Sequence, residues 1–190
     1  MTASQSRFAI PEIRHAELER TITAGSVAGI VAAVPAILLL VVAGGGYLPL
    51  YAIAGVVDPT PLTSAVTAAS HGHPVEFFQY PFTAGLAMCL TLGAVSGVVF
   101  MAVVRRRKVT SRRLLLLYGS LHGLVFGLVA FYLGLLPTLG LVLDVRWPAP
   151  DLVQLVGWPA LVGAYALHGV VLGAWAAWRV GDLSARDASA

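Results

Sequence analysis

Long stretches without charge alternate along this chain with short stretches that concentrate it. No Asp, Glu, Lys or Arg occurs from Thr21 to Val57, from Phe77 to Val104, from Leu114 to Leu143 or from Leu152 to Trp178. A helix rising about 1.5 Å per residue needs roughly 20 apolar residues to cross about 30 Å of hydrocarbon, and each stretch is longer than that. The pattern predicts an all-α membrane protein, a four-transmembrane-helix bundle within residues 21–178, with spans at about 21–43, 83–104, 114–136 and 153–178. Pro35 falls inside the first span and is expected to kink it, because proline lacks an N–H and crowds the preceding turn.

Around these spans the polar segments have distinct characters. Residues 1–20 form an N-terminal lead in which Pro11 suits a first helical turn, and 179–190 form a polar tail. The outer segment 44–82 is the longest connection and contains apolar stretches such as Tyr47–Val57, which favour a short interfacial helix over a structureless loop. The lead carries Glu12, Glu17 and Glu19 and the apolar run after it is too long for a signal-peptide core, so a membrane span is expected there.

Orientation follows from the basic residues. Of the twelve Lys and Arg, only Arg146 lies in either outer connection; the rest lie in the lead, the 105–113 loop and the tail. Basic loops stay in the cytoplasm, so both termini are expected there. Tyr47, Tyr51, Phe77, Phe78, Tyr80, Trp147 and Trp158 then gather near the outer boundary, and Trp175 and Trp178 near the inner one.

Composition sharpens the class. The chain is 58% hydrophobic and 11% charged, where soluble domains are about a quarter charged. Its mean hydropathy is +0.84. A net charge of +3 with a pI near 9.4 would admit nucleic acid as a partner. The basic residues bracket apolar spans, however, and are not interleaved with exposed aromatics. The expected partners are the lipid bilayer and other membrane subunits or a second copy. The single cysteine, Cys89, lies within the second span and cannot form an intrachain disulfide.

Small residues recur four apart in every span: Gly25 and Gly29, Gly93 and Gly97, Gly119, Gly123 and Gly127, and Gly169 and Gly173. Tyr80-Pro81 and Trp158-Pro159 stand at matching entries to the second and fourth spans, which reads as an imperfect parallel repeat of two helical hairpins, its register slipping by two residues before the glycine pairs; the alternative is chance recurrence of small residues in glycine-rich helices. Lipid gives little hydrophobic drive between helices, so these grooves are expected to hold the bundle by close backbone approach. With Leu121-His122-Gly123 and Leu167-His168-Gly169, the hairpin pattern resembles the YagU-like family of inner-membrane proteins and its archaeal and actinobacterial relatives, over about 21–178. The chain departs from that pattern in its long outer segment and in Leu92, which stands where the matching span has His168. The resemblance implies a four-helix protein of the prokaryotic cytoplasmic membrane and supplies no catalytic residues.

His122 and His168 are the ionisable side chains well inside the spans, about 13 and 16 Å from the inner boundary by helical rise. Such groups are costly in lipid and face the bundle interior or a cavity. Two neutral imidazoles can fasten helices, serve a proton or solute path, or ligate a b-type haem. His71, His73 and Glu76 could ligate a metal on the outer side, although Gly72 and Pro74 between them suit a turn. Asp58 and Asp151 fit helix starts, and Ser120 and Thr91 are expected to bond across helices. No nucleotide loop, nucleophile elbow, HExxH or CxxC occurs. The sequence therefore points to a non-catalytic packing or accessory subunit that binds partner helices or lipid, without a cofactor. The alternatives are conduction through His122 and His168, and electron transfer on haem.

Overall fold

In lipid a backbone must satisfy its own polar groups, and an isolated apolar run does so only as a helix. The computed structural model describes residues 10–109, 111–129 and 149–187, and among them it contains helices and no strand. These are α1 (Ile10–Ala43), α2 (Leu48–Ala54), α3 (Thr60–Ser70), α4 (Gln79–Arg107), α5 (Arg112–Leu128) and α6 (Ala149–Asp187). Leu18–Ala43, Gln79–Arg107 and Asp151–Arg179 are long and apolar enough to cross a membrane, so the chain is a helical membrane protein. Helix α5 has 17 residues, and the remainder of the predicted 114–136 span lies outside the described residues, as do Asp144, Arg146 and Trp147.

Lead and first span form one helix, and α1 continues through Pro35. The break in a long helix comes instead at Gly157 in α6, where φ is 76° and ψ is 158°. A side chain is strained at that φ, so glycine suits the position, and Pro159 then sits in the first turn of the continuation. At the other end of the molecule α4 stops after its run of basic residues. Lys108 adopts the left-handed conformation (φ 51°) and Val109 N–H returns to Val104 O at 3.2 Å. This closes the last turn of α4 before Ser111 leads into α5.

The outer segment differs from the expected interfacial helix. It contains two helices, and the first is buried within the protein. Leu50, Tyr51, Ala52, Ile53 and Ala54 are all sealed from solvent, with α2 packed on α1, α4 and α6. Gly85 of α4 lets this happen, since a Cβ there would overlap the Leu50 backbone. Two tyrosines clasp the following chain to α2. Tyr47 Oη donates to Val75 O at 2.8 Å and Tyr51 Oη donates to Phe78 O at 3.0 Å, while Phe78 N–H donates back to the Tyr51 hydroxyl. A seven-residue apolar helix looks the same in sequence whether lipid or protein covers it. Here protein does.

Long helices pack in a fixed order. Helix α1 runs along α4, α5 runs along α6, and α1 and α6 join the two pairs. Helices α4 and α5 are consecutive in the chain yet meet over only a few residues. In both close pairs the seam is made by glycine. A Cβ on Gly29 would overlap the Gly93 carbonyl, and one on Gly25 would stand 2.6 Å from the Val98 Cα. In the second pair, a Cβ on Gly119 would lie 2.7 Å from the Gly173 Cα, and one on Gly123 would lie 2.7 Å from the Gly169 Cα. Gly127 instead faces the Tyr165 ring. All four long helices meet toward the basic-loop end, where Ala28, Phe100, Leu115 and Leu172 form one buried cluster. Arg105 there donates from Nη1 to Thr21 Oγ1, tying the end of α4 to α1.

Candidate functional site

A serine in a membrane helix usually returns its hydroxyl to its own backbone four residues earlier. Ser120 does so, with Oγ donating to Leu116 O at 3.0 Å, and Thr91 does so with Ala87 O at 2.8 Å. Neither makes the interhelical bond that its sequence position suggested. Ser96 behaves differently. It is 1% exposed, points into the interior from α4, and has an imidazole on either side. His122 Nε2 of α5 and His168 Nε2 of α6 each lie 3.1 Å from Ser96 Oγ. The two histidines thus converge on one hydroxyl.

The neighbouring groups assign the protons in this cluster. His122 Nε2 also lies 3.1 Å from the Ser96 carbonyl oxygen, which can only accept. That nitrogen therefore carries the hydrogen, and its partner nitrogen, Nδ1, is an acceptor in the neutral ring. Ser96 is then free to donate its hydroxyl hydrogen to His168 Nε2. His168 has a further backbone hydrogen bond to Ala32 of α1. The chain of bonds runs from α5 through α4 to α6 and α1, so one polar cluster touches every long helix. His122 is held between aromatic rings, 5.3 Å from Phe100 and 5.5 Å from Phe126 by ring centroids.

Beside this cluster lies a cavity of about 520 Å³. It begins at His122, Ser96 and His168 and extends toward the α2 end, reaching Ile53 and Leu152. Its walls come from α1, α4, α5 and α6, with Ile53 of α2 at the far end, and among the described residues they carry no Asp, Glu, Lys or Arg. The cavity exists because α4 and α5 stay apart above the level of the cluster. Val95 of α4 and Val125 of α5 line it and are 49% and 51% exposed, so among the described residues it opens sideways between these two helices. An apolar space of this size with a few convergent polar groups is the usual form of a small-molecule site.

The other sites named from sequence are more dispersed. His71 Nδ1 lies 2.8 Å from Thr67 O and closes the end of α3, and Gly72 (φ 71°) makes the turn that follows. His73 and Glu76 border a shallow surface pocket with Phe78. No group of three His, Cys, Asp or Glu is arranged to hold a metal among the described residues. Asp58 Oδ1 accepts from Thr60 N–H at 3.0 Å at the start of α3, and Asp151 lies in the first turn of α6. Ser96 is the residue that sequence patterning passed over. It stands directly before Gly97 in an apolar stretch, and nothing local marks a serine that reaches across helices. Comparison with protein-family models, with curated proteins and with solved structures finds no match to this chain.

Proposed function

We propose that this protein crosses the cytoplasmic membrane four times, with both ends in the cytoplasm, and acts as a non-catalytic accessory protein that holds a lipid in the cleft between α4 and α5. The observation that carries this is the 520 Å³ cavity, lined among the described residues by apolar side chains except where Ser96, His122, Tyr165 and His168 border it, and open sideways between α4 and α5. Water gains nothing in such a space, whereas an alkyl or prenyl chain fills it without exchanging polar contacts. Helix α5 supplies the fourth crossing, and the basic residues from Arg105 to Arg113 keep its start on the cytoplasmic side. Glycine seams hold α1 to α4 and α5 to α6, which leaves the α4–α5 side available to a guest. The hairpin repeat shared with the YagU-like pattern belongs to the same reading. Conduction through His122 and His168 would need polar groups that continue across the membrane, and the cavity beyond them is apolar among the described residues. Haem ligation would require both Nε2 atoms to exchange Ser96 for iron.

Two measurements test this. Reporter tags at both termini and in the 105–113 loop are expected to read out from the cytoplasm, and tags near residues 65 and 147 from the outside. A loop tag reporting from outside would overturn the orientation. The cleft itself is tested with Val95→Trp, whose ring fills the cavity from an exposed wall position. Protein purified in mild detergent is expected to retain lipid by native mass spectrometry, and Val95→Trp to retain several-fold less. Equal retention by the two proteins would remove the cleft as the binding site.

A further inference from the structure

Among the described residues the cleft is mostly apolar along its length and most polar at the end that Ser96, His122 and His168 form, which constrains what lies in it. A phospholipid could place an acyl chain there, but its chain end would then meet the polar surface that Ser96, His122 and His168 form. That surface has unused capacity. His122 Nδ1 is an acceptor by the proton assignment above, and no hydrogen bond engages it among the described residues. His122 nevertheless lines the cavity, roughly midway through the hydrocarbon. A charged headgroup is excluded at that depth, because stripping its water costs far more than a neutral imidazole returns.

We propose that the cleft binds an uncharged lipid bearing a hydroxyl group, with the hydroxyl donating to His122 Nδ1 and the hydrocarbon running along the α4–α5 opening. This deepens the lipid-binding reading and rests on it. The hydroxyl satisfies the acceptor that the cluster leaves over, and its own oxygen remains able to accept from a neighbouring donor. Phe126, stacked on the His122 ring, borders the head end and favours a flat or unsaturated group next to the hydroxyl. Prenyl alcohols, hydroquinones and diacylglycerols share this chemistry.

Three probes of equal chain length separate the possibilities: hexadecanol, hexadecyl methyl ether and hexadecyl phosphate. Binding is measured on the whole protein in nanodiscs, by titration and by the rise in thermal midpoint. Hexadecanol is expected to bind about tenfold more tightly than the ether, the worth of one hydrogen bond in a dry site, and the phosphate not to enter the cleft. His122→Phe keeps a ring in the same place and is expected to abolish the preference for alcohol while leaving ether binding intact. Alcohol and ether binding equally to the unaltered protein would overturn the hydroxyl assignment and leave the lipid cleft standing. Failure of both, with Val95→Trp behaving like the parent, would remove the cleft as well. Lipid extracted from protein purified out of its own membranes then distinguishes the sources. A prenyl alcohol, a hydroquinone or a diacylglycerol supports the proposal, and phospholipid alone overturns it.

Discussion

Replacing Gly29 or Gly123 with leucine is expected to disrupt the bundle, lowering the thermal midpoint in detergent more than any other single substitution considered for this chain. A Cβ at Gly29 overlaps the Gly93 carbonyl, and one at Gly123 meets the backbone at Tyr165 and Gly169. The obstruction in both cases is main chain, which cannot rotate aside as a side chain does. The helices must separate along their whole contact, and in lipid close contact is most of what holds them. Overpacking with a side chain as neighbour costs about 1–3 kcal/mol, and a backbone neighbour should bring the loss above about 3 kcal/mol. Gly163→Ala is the control. Its Cβ would lie 3.5 Å from Leu39 Cδ2, an ordinary contact, and alanine is the better helix former by up to about 1 kcal/mol. That variant is expected to match or exceed the parent. Equal stability of Gly123→Leu and Gly163→Ala would refute the seam.

The second large effect concerns the polar cluster. Ser96→Ala removes the hydroxyl that both imidazoles approach, and His168→Leu removes one of those imidazoles. Each is expected to cost on the order of 1–2 kcal/mol, the upper range for interhelical hydrogen bonds in membranes. Non-additivity is the sharper readout. The two substitutions break the same link, so the double variant should lose little more than the worse single variant. His122 keeps the Ser96 carbonyl as an acceptor in Ser96→Ala, which predicts that a cycle through His122 shows weaker coupling than one through His168. Additive losses in the Ser96–His168 cycle would show that the hydroxyl does not connect them.

How much of this was visible in the residue order depends on the kind of signal. Uncharged length is a property of the chain alone, so the presence of long apolar helices could be read directly. So could His122 and His168, since an imidazole inside an apolar run stands out wherever it points. Helix α2 could not be placed, because Leu48–Ala54 carries the same apolar residues whether it lies on lipid or inside protein. Its burial depends on Gly85, thirty-five residues after Leu50 and unmarked by any local pattern. Ser96 was hidden for a related reason. Ser120 and Thr91 have the same chemistry and bond to their own helices, and only the packing of α4 turns Ser96 toward its neighbours. The cleft was invisible as well, because it comes from two consecutive helices that meet over only a few residues.

That last arrangement bears on how the molecule is made. During synthesis α4 emerges next to its partner α1, whereas α5 emerges with its own partner, α6, still to come. The first hairpin can close its glycine seam while the ribosome is still extending the chain. Helix α5 has little to hold against α4 and must wait for α6. Because His168 is carried on α6, the link from Ser96 to α6 is completed only when the second hairpin docks on the first. The cluster therefore marks completion, a latch that closes after both halves have been inserted.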